Sequence, residues 1–360
     1  MIVNPDRSRL AAYVVLAYTL VIVYASLQPF SGWRMPPDAM FGFLTAARPR
    51  YLTANDILLN IAAYLPFGAM LVIALRTRHA GFAGCLIATL LAAVLSLALE
   101  SVQMFLPSRI ASNVDLLANS GGGALGALGA WLTGLPALAG HPFAALRRRI
   151  VRTDMLGDCG LIALAVWLFI QFDPAPLALA SGDLRDTLAL KPWFAYAPAS
   201  YQNAETCIAA LAALTIGLLA AQIAISPSMA LLAGASLLAL TISAKSVAVW
   251  TLARAASPLQ WLTPGVAGGL LIGIAALALL MWLPPAWRSI VAIACVVATV
   301  LLVNVTPENP YQTVPPFLLA SQPTHLSSFS NIVRVLSQLW PFAAIAMFIA
   351  LARGATSRTF

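Results

Sequence analysis

Apolar residues run through this chain in long blocks, separated by short polar or proline-rich stretches. Ten blocks approach the ~20 residues a helix needs to cross a bilayer. They are about 10–28, 56–75, 82–106, 114–134, 156–173, 204–225, 229–250, 264–283, 287–304 and 332–352. The pattern predicts an all-α, polytopic transmembrane bundle of about ten helices. The block 156–173 is short and opens with Gly157 and Asp158, while the second and fourth begin with polar residues. The first block, Leu10 to Leu27, follows Arg7 and Arg9. It is longer than a signal-peptide core and no A-x-A site follows it, so it reads as an uncleaved first helix.

Composition agrees with this reading. Residues of the AVILMFWYC set make up 61% of the 360, and charged residues 9%, against ~25% in a soluble protein. So little charge cannot cover a soluble fold, and it also excludes a disordered chain, a coiled coil and a secreted disulfide scaffold. The formal charge is +8, but the basic residues cluster between apolar blocks, where they act as topology signals. Nucleic acid is therefore not an expected partner. Cys85, Cys159, Cys207 and Cys295 lie in or beside apolar blocks without metal-ligand or redox spacing, and read as small buried apolar residues.

Ten spans put both termini on one side. With those termini inside, 11 basic residues fall inside and 8 outside, with Lys245 in the membrane. The Arg147–Arg152 cluster carries most of that bias and marks the cytoplasmic side. The expectation is a multi-pass protein of the bacterial inner membrane with cytoplasmic termini. Its long loops, about 29–54, 174–203 and 305–331, then lie outside. The last contains Pro307, Pro310, Pro315, Pro316 and Pro323, so irregular structure is expected there. The basic stretch divides the chain into a four-helix membrane domain (1–135), a cytoplasmic linker (136–155) and a six-helix membrane domain (156–360). Asn331, Ile332, Pro341 and Phe342 echo Asp56, Ile57, Pro66 and Phe67 at the same offset. The neighbouring helices do not follow in order, and the echo is read as chance.

The polar residues inside the front blocks stand out. Asp56 and Asn60 open the second helix, Glu100 and Gln103 close the third, and Arg109, Ser112, Asn113, Asp115 and Asn119 lead into the fourth. Spacings of three and four residues place each pair on one helical face. Because successive helices alternate in direction, the three polar ridges share one depth, near the outer leaflet. Glu100 precedes Pro107 by seven residues, about 10 Å along a helix. An unpaired carboxylate there costs roughly 2–3 kcal/mol. Arg109, between Glu100 and Asp115 in sequence, is expected to bridge them in a carboxylate–guanidinium–carboxylate cluster. Isolated Asn and Gln residues in membrane helices often serve only as interhelical glue. Ionisable groups gathered at one depth point instead to a functional site.

After Asn119 come Gly121, Gly122, Gly123, Gly126 and Gly129. Gly122 and Gly126 form G-x-x-x-G, which lets a neighbouring backbone approach closely, within the bundle or in a dimer. A phosphate-cradling glycine loop is excluded because no strand precedes it.

The stretch Asp56-Ile-Leu-Leu-Asn60, Leu65-Pro-Phe-Gly68, Glu100-Ser-Val-Gln103, Arg109-Ile-Ala-Ser112, then Asp115 and Asn119 before a glycine-rich helix, resembles the VanZ-like family over about residues 10–135. Gly157-Asp158 and Trp340-Pro-Phe342 resemble the extended proteobacterial members found with exopolysaccharide genes. The resemblance implies a role with cell-envelope lipids, wall precursors or glycopeptide resistance. A distant relationship to base-exchange phosphatidylserine synthases would make the polar cluster a lipid head-group transfer site.

Two classes of function remain open. In the first, an outward-facing intramembrane enzyme processes a lipid head group or a polyprenyl-linked phosphate. Arg109 binds phosphate as a fork, Glu100 acts as general base or acid, and Asp115 orients Arg109 or holds a divalent cation. Asp56, Asn60, Gln103, Ser112 and Asn119 line the substrate or supply oxygen ligands. Mg²⁺ or Ca²⁺ is compatible with this oxygen-rich set but not required. Zinc is not expected, since His79, His141 and His325 fall away from the motif. In the second class, the protein binds or flips lipid, or assists envelope or exopolysaccharide assembly proteins, without catalysis. Lys245 and Arg254 then bind an anionic lipid or partner, or simply snorkel toward head groups. Polar residues confined to the outer half count against full transbilayer transport.

Overall fold

The computed structural model describes residues 10–28, 30–36, 41–46, 54–75, 82–133, 142–172, 177, 179–251, 256–308 and 324–356. Among these residues the fold is all-α, with twelve helices. They are α1 (Leu10–Leu27), α2 (Ala54–Leu75), α3 (Phe82–Gln103), α4 (Asn113–Leu132), α5 (Pro142–Ile150), α6 (Met155–Ile170), α7 (Arg185–Leu188), α8 (Pro198–Ile223), α9 (Pro227–Thr251), α10 (Pro264–Leu280), α11 (Pro285–Val305) and α12 (Thr324–Thr356). Each of the ten apolar blocks is helical. Seven helices, rather than ten, are both long and apolar enough to cross a membrane by themselves: α1, α2, α3, α8, α9, α11 and α12. Helices α6 and α10 are apolar but shorter, and in α4 glycine and polar residues dilute the hydropathy. Leu58, Leu90, Leu117, Leu231, Leu271 and Leu301 are all exposed on helix faces. Such faces suit hydrocarbon, where helices satisfy their own backbone hydrogen bonds.

Two corrections concern the connections. The second long loop ends at Ala197, because Pro198 opens α8 at the first helical position, where a missing N–H costs nothing. The last ends by Thr324, since α12 begins seven residues before Asn331. Pro310, Pro315, Pro316 and Pro323 lie outside the described residues.

The chain divides into two compact units between Leu146 and Arg147, within α5. In the front unit α4 packs most extensively on α2. A Cβ at Gly122 would overlap the Ile61 backbone, one at Gly126 the Leu65 carbonyl, and one at Gly68 the Gly123 carbonyl. The G-x-x-x-G pair therefore serves packing inside the unit. Tyr64, Phe67, Leu71, Ala88, Ala92 and Leu99 form the core with Ile22 and Leu27 of α1. The Tyr18 hydroxyl ties α1 to α2 by donating to the Ala63 carbonyl at 2.9 Å.

In the rear unit α8 is the hub, packed against α6, α9, α10 and α11, while α12 packs on α6 and α11. Small residues permit these approaches: Gly269 and Gly273 of α10 press on the α8 backbone at Thr206 and Ala210. The basic stretch is not a bare linker. It holds α5, and Val151 then pairs with Ala224 in an isolated antiparallel bridge. Arg147 forms an ion pair with Asp158, which is 2% exposed. Asp154 caps α6 by accepting from the Gly157 N–H at 3.0 Å.

Lys245 does not snorkel. It is 1% exposed and lies with Thr241, Ala244 and Ala248 on the inward stripe of α9. Arg254 lies outside the described residues. Cys85 and Cys295 are buried as expected, whereas Cys159 and Cys207 are exposed.

Asn304 of α11 staples the segment before α7. Its Oδ1 accepts from the Leu184 N–H at 2.8 Å, and its Nδ2 donates to the Gly182 carbonyl at 2.8 Å. Gly182 sits at φ +87°, against Val300 and Pro341. Replacing Asn304 with leucine is expected to cost about 1–2 kcal/mol and to accelerate hydrogen exchange at residues 182–184. Unchanged exchange there would show that packing alone holds the segment.

Candidate functional site

The start of α4 organises the polar cluster. Ser112 is its N-cap, in an extended conformation, and its hydroxyl accepts from the Val114 N–H at 3.1 Å and the Asp115 N–H at 3.4 Å. Ser112-Asn-Val-Asp115 has the spacing of a capping box, in which the third residue's carboxylate returns to the cap's own N–H. Here that N–H donates instead to Glu100 Oε2 of α3, at 2.8 Å. Asp115 is thereby left to face α2, where its Oδ1 accepts from Asn60 Nδ2 at 2.9 Å. Both carboxylates sit at the positive end of α4, which favours negative charge.

Glu100 is 3% exposed. Asp115 lies within electrostatic range of it, and Asp56, half-buried in the first turn of α2, within range of Asp115. Among the described residues no three His, Cys, Asp or Glu side chains gather closely enough to hold one metal ion.

One turn further from the helix ends, the ridges continue. Asn119 Nδ2 donates to Ser96 Oγ at 3.0 Å, linking α4 to α3. Tyr64 of α2, 3% exposed, brings its hydroxyl toward Ser96 and Glu100. Neither the Tyr64 hydroxyl nor Asn119 Oδ1 has a hydrogen-bond partner in bonding geometry. Another turn on, the ridges end in Gly68, Ala92 and Gly123. These pack so tightly that a Cβ on Gly123 would come within 2.5 Å of the Ala92 methyl. The ridges thus run from half-buried polar residues through a buried layer to small, closely packed ones.

The expected bridge by Arg109 does not form. Its Nε donates to the Gln28 carbonyl at 2.9 Å and its Nη2 to the Ala25 carbonyl at 3.0 Å. Ala25 lies in the last turn of α1 and Gln28 directly follows it, where helix geometry leaves carbonyls without intrahelical partners. Desolvation there lowers the Arg109 pKa from its ordinary value. Gln103 likewise turns to α1, donating to the Ser26 carbonyl at 3.1 Å. Asn113 donates to the Ala46 carbonyl at 3.0 Å. The structure therefore brings together Asp56, Asn60, Glu100, Ser112, Asp115 and Asn119, and assigns Arg109 and Gln103 to anchoring α1.

Tyr64 and Ser96 are absent from the set that sequence reasoning selects. Both extend its ridges by one turn: Tyr64 follows Asn60 by four residues, and Ser96 precedes Glu100 by four. Carrying the same spacing one step further finds them.

The sequence profile of the VanZ/LLP1 family matches residues 10–134. No curated protein and no solved structure matches the chain. The matched stretch contains the first four helices and every residue of the polar cluster. The chain is thus a multi-pass membrane protein whose residues 10–134 form a VanZ-like segment.

Proposed function

We propose that the front unit is a lipid head-group site, in which Glu100 serves as proton acceptor for a group carried by an envelope lipid or polyprenyl-phosphate intermediate. The observation that carries this reading is a buried carboxylate with no ion pair among the described residues, held by one main-chain N–H and within electrostatic range of a second carboxylate. Structural glue would be served by neutral amides, at a fraction of the desolvation cost. Ser112 fixes the orientation of Glu100, Asn60 that of Asp115, and Arg109 the position of α1 beside them.

The arginine bias supports a site facing the outer leaflet of the inner membrane, opposite Arg76 and Arg78 in the chain order. The close packing of Gly68, Ala92 and Gly123 disfavours flipping, because no polar step continues beyond it along these ridges. An accessory role in envelope or exopolysaccharide assembly, or in glycopeptide resistance, is the second reading. It is favoured by the use of Arg109 and Gln103 as structural anchors.

Lipid mass spectrometry on the purified protein separates these. After incubation with extracted envelope lipids, with and without Mg²⁺, a new head-group species is expected, and Asp115→Asn should reduce it. A retained lipid without turnover would support the accessory reading. No specific lipid in any sample would return the cluster to structural glue.

A further inference from the structure

The site's hydrogen-bonding groups are unbalanced. Among the described residues, Glu100 and Asp115 offer acceptor oxygens with one donor each, and the Asn119 carbonyl oxygen has none. The one cation nearby in sequence, Arg109, is bound to carbonyls of α1. In the middle layer the Tyr64 hydroxyl has no hydrogen-bond partner in bonding geometry among the described residues. Asn119 is 8% exposed and Tyr64 3%, so bulk water does not satisfy them. A buried polar atom without a partner costs about 1–3 kcal/mol.

We infer that this layer receives a head group bearing O–H or N–H donors, a hydroxyl or an ammonium, rather than a bare phosphate. An ammonium donates both to Asn119 Oδ1 and to the free oxygen of Glu100, whereas a hydroxyl donates to one of them and its oxygen accepts from Tyr64. A phosphate offers only acceptors, which would face two carboxylates. Tyr64 is then a specificity residue that the motif does not mark. Its ring packs edge-on against Phe67 at 6.0 Å, which holds the hydroxyl in the layer. The inference rests on the lipid reading above and adds the chemistry of the head group.

Charge-matched lipid pairs test it on the full chain in detergent, with binding read by native mass spectrometry. Phosphatidylglycerol is compared with phosphatidylmethanol, which has the same charge and no head-group donor. Phosphatidylethanolamine is compared with phosphatidylcholine in the same way. At least one donor-bearing lipid is expected to bind about 10-fold or more above its partner, and the pair that discriminates separates hydroxyl from ammonium. Tyr64→Phe keeps the ring, should change the melting temperature little because the hydroxyl has no partner in bonding geometry among the described residues, and should reduce a hydroxyl preference. Asn119→Leu should reduce either preference. Equal binding within both pairs overturns the donor inference while leaving the lipid reading intact. A preference that survives both variants, with a lowered melting temperature, shows the layer to be structural and also overturns it. Absence of binding by all four lipids removes the lipid reading itself.

Discussion

Glu100→Gln is expected to abolish head-group turnover, by about 10²–10⁴-fold, in a protein that still folds. The geometry separates these two effects. The Glu100 carboxylate accepts the Ser112 N–H at 2.8 Å, and a glutamine carbonyl can accept the same bond. The cap of α4, with its Ser112 hydroxyl bonds to Val114 and Asp115, then persists. Only the charge and the ability to take a proton are lost. Glu100→Ala differs, because it leaves a buried N–H without an acceptor and should cost about 1–3 kcal/mol of stability as well. Turnover by lipid mass spectrometry and melting temperature, measured on both variants, distinguish the roles. A Gln variant with wild-type turnover would reduce Glu100 to a cap for α4. A Gln variant that melts early would show that the charge itself holds the helix end.

Much of this arrangement was legible in the sequence, for identifiable reasons. Hydropathy alone locates the apolar helices, because in hydrocarbon the backbone has no other partner than itself. Spacings of three and four residues, combined with alternating helix direction, bring Asp56, Asn60, Glu100, Asp115 and Asn119 to one end of the front unit. What spacing does not convey is competition among partners. Arg109 lies between two carboxylates in sequence, yet the carbonyls of Ala25 and Gln28 lie where its fork reaches. A guanidinium at a helix C-terminus meets ready-made acceptors, and that alternative involves residues some eighty positions away. The snorkelling alternative for Lys245 fails for a related reason. A lysine near a helix end usually reaches toward water, but the stripe of Thr241, Ala244 and Ala248 faces the interior of the rear unit. Tyr64 and Ser96 escaped notice because uncharged residues in apolar blocks carry little signal until a polar neighbour one turn away is considered.

The glycines of α4 are expected to divide sharply into essential and dispensable. Gly126→Ala places a methyl on the Leu65 carbonyl of α2, and Gly122→Ala places one on the Ile61 backbone. Backbone cannot swing aside as a side chain does, so α2 and α4 must separate or shift in register. Overpacking of this kind costs about 1–3 kcal/mol, occasionally more, and Gly126→Val should fall at or above that range. Gly121 and Gly129 are on the same helix but have nothing within 4 Å of an added Cβ. Alanine there should be neutral or stabilise by up to ~1 kcal/mol, through helix propensity alone. The consequence extends to the polar cluster, since Asn60 and Asp115 meet across the same α2–α4 contact at 2.9 Å. Gly126→Ala should therefore lower both the melting temperature and lipid retention, whereas Gly129→Ala should lower neither. Equal tolerance at Gly126 and Gly129 would mean that the close approach of α2 and α4 does not hold the site together.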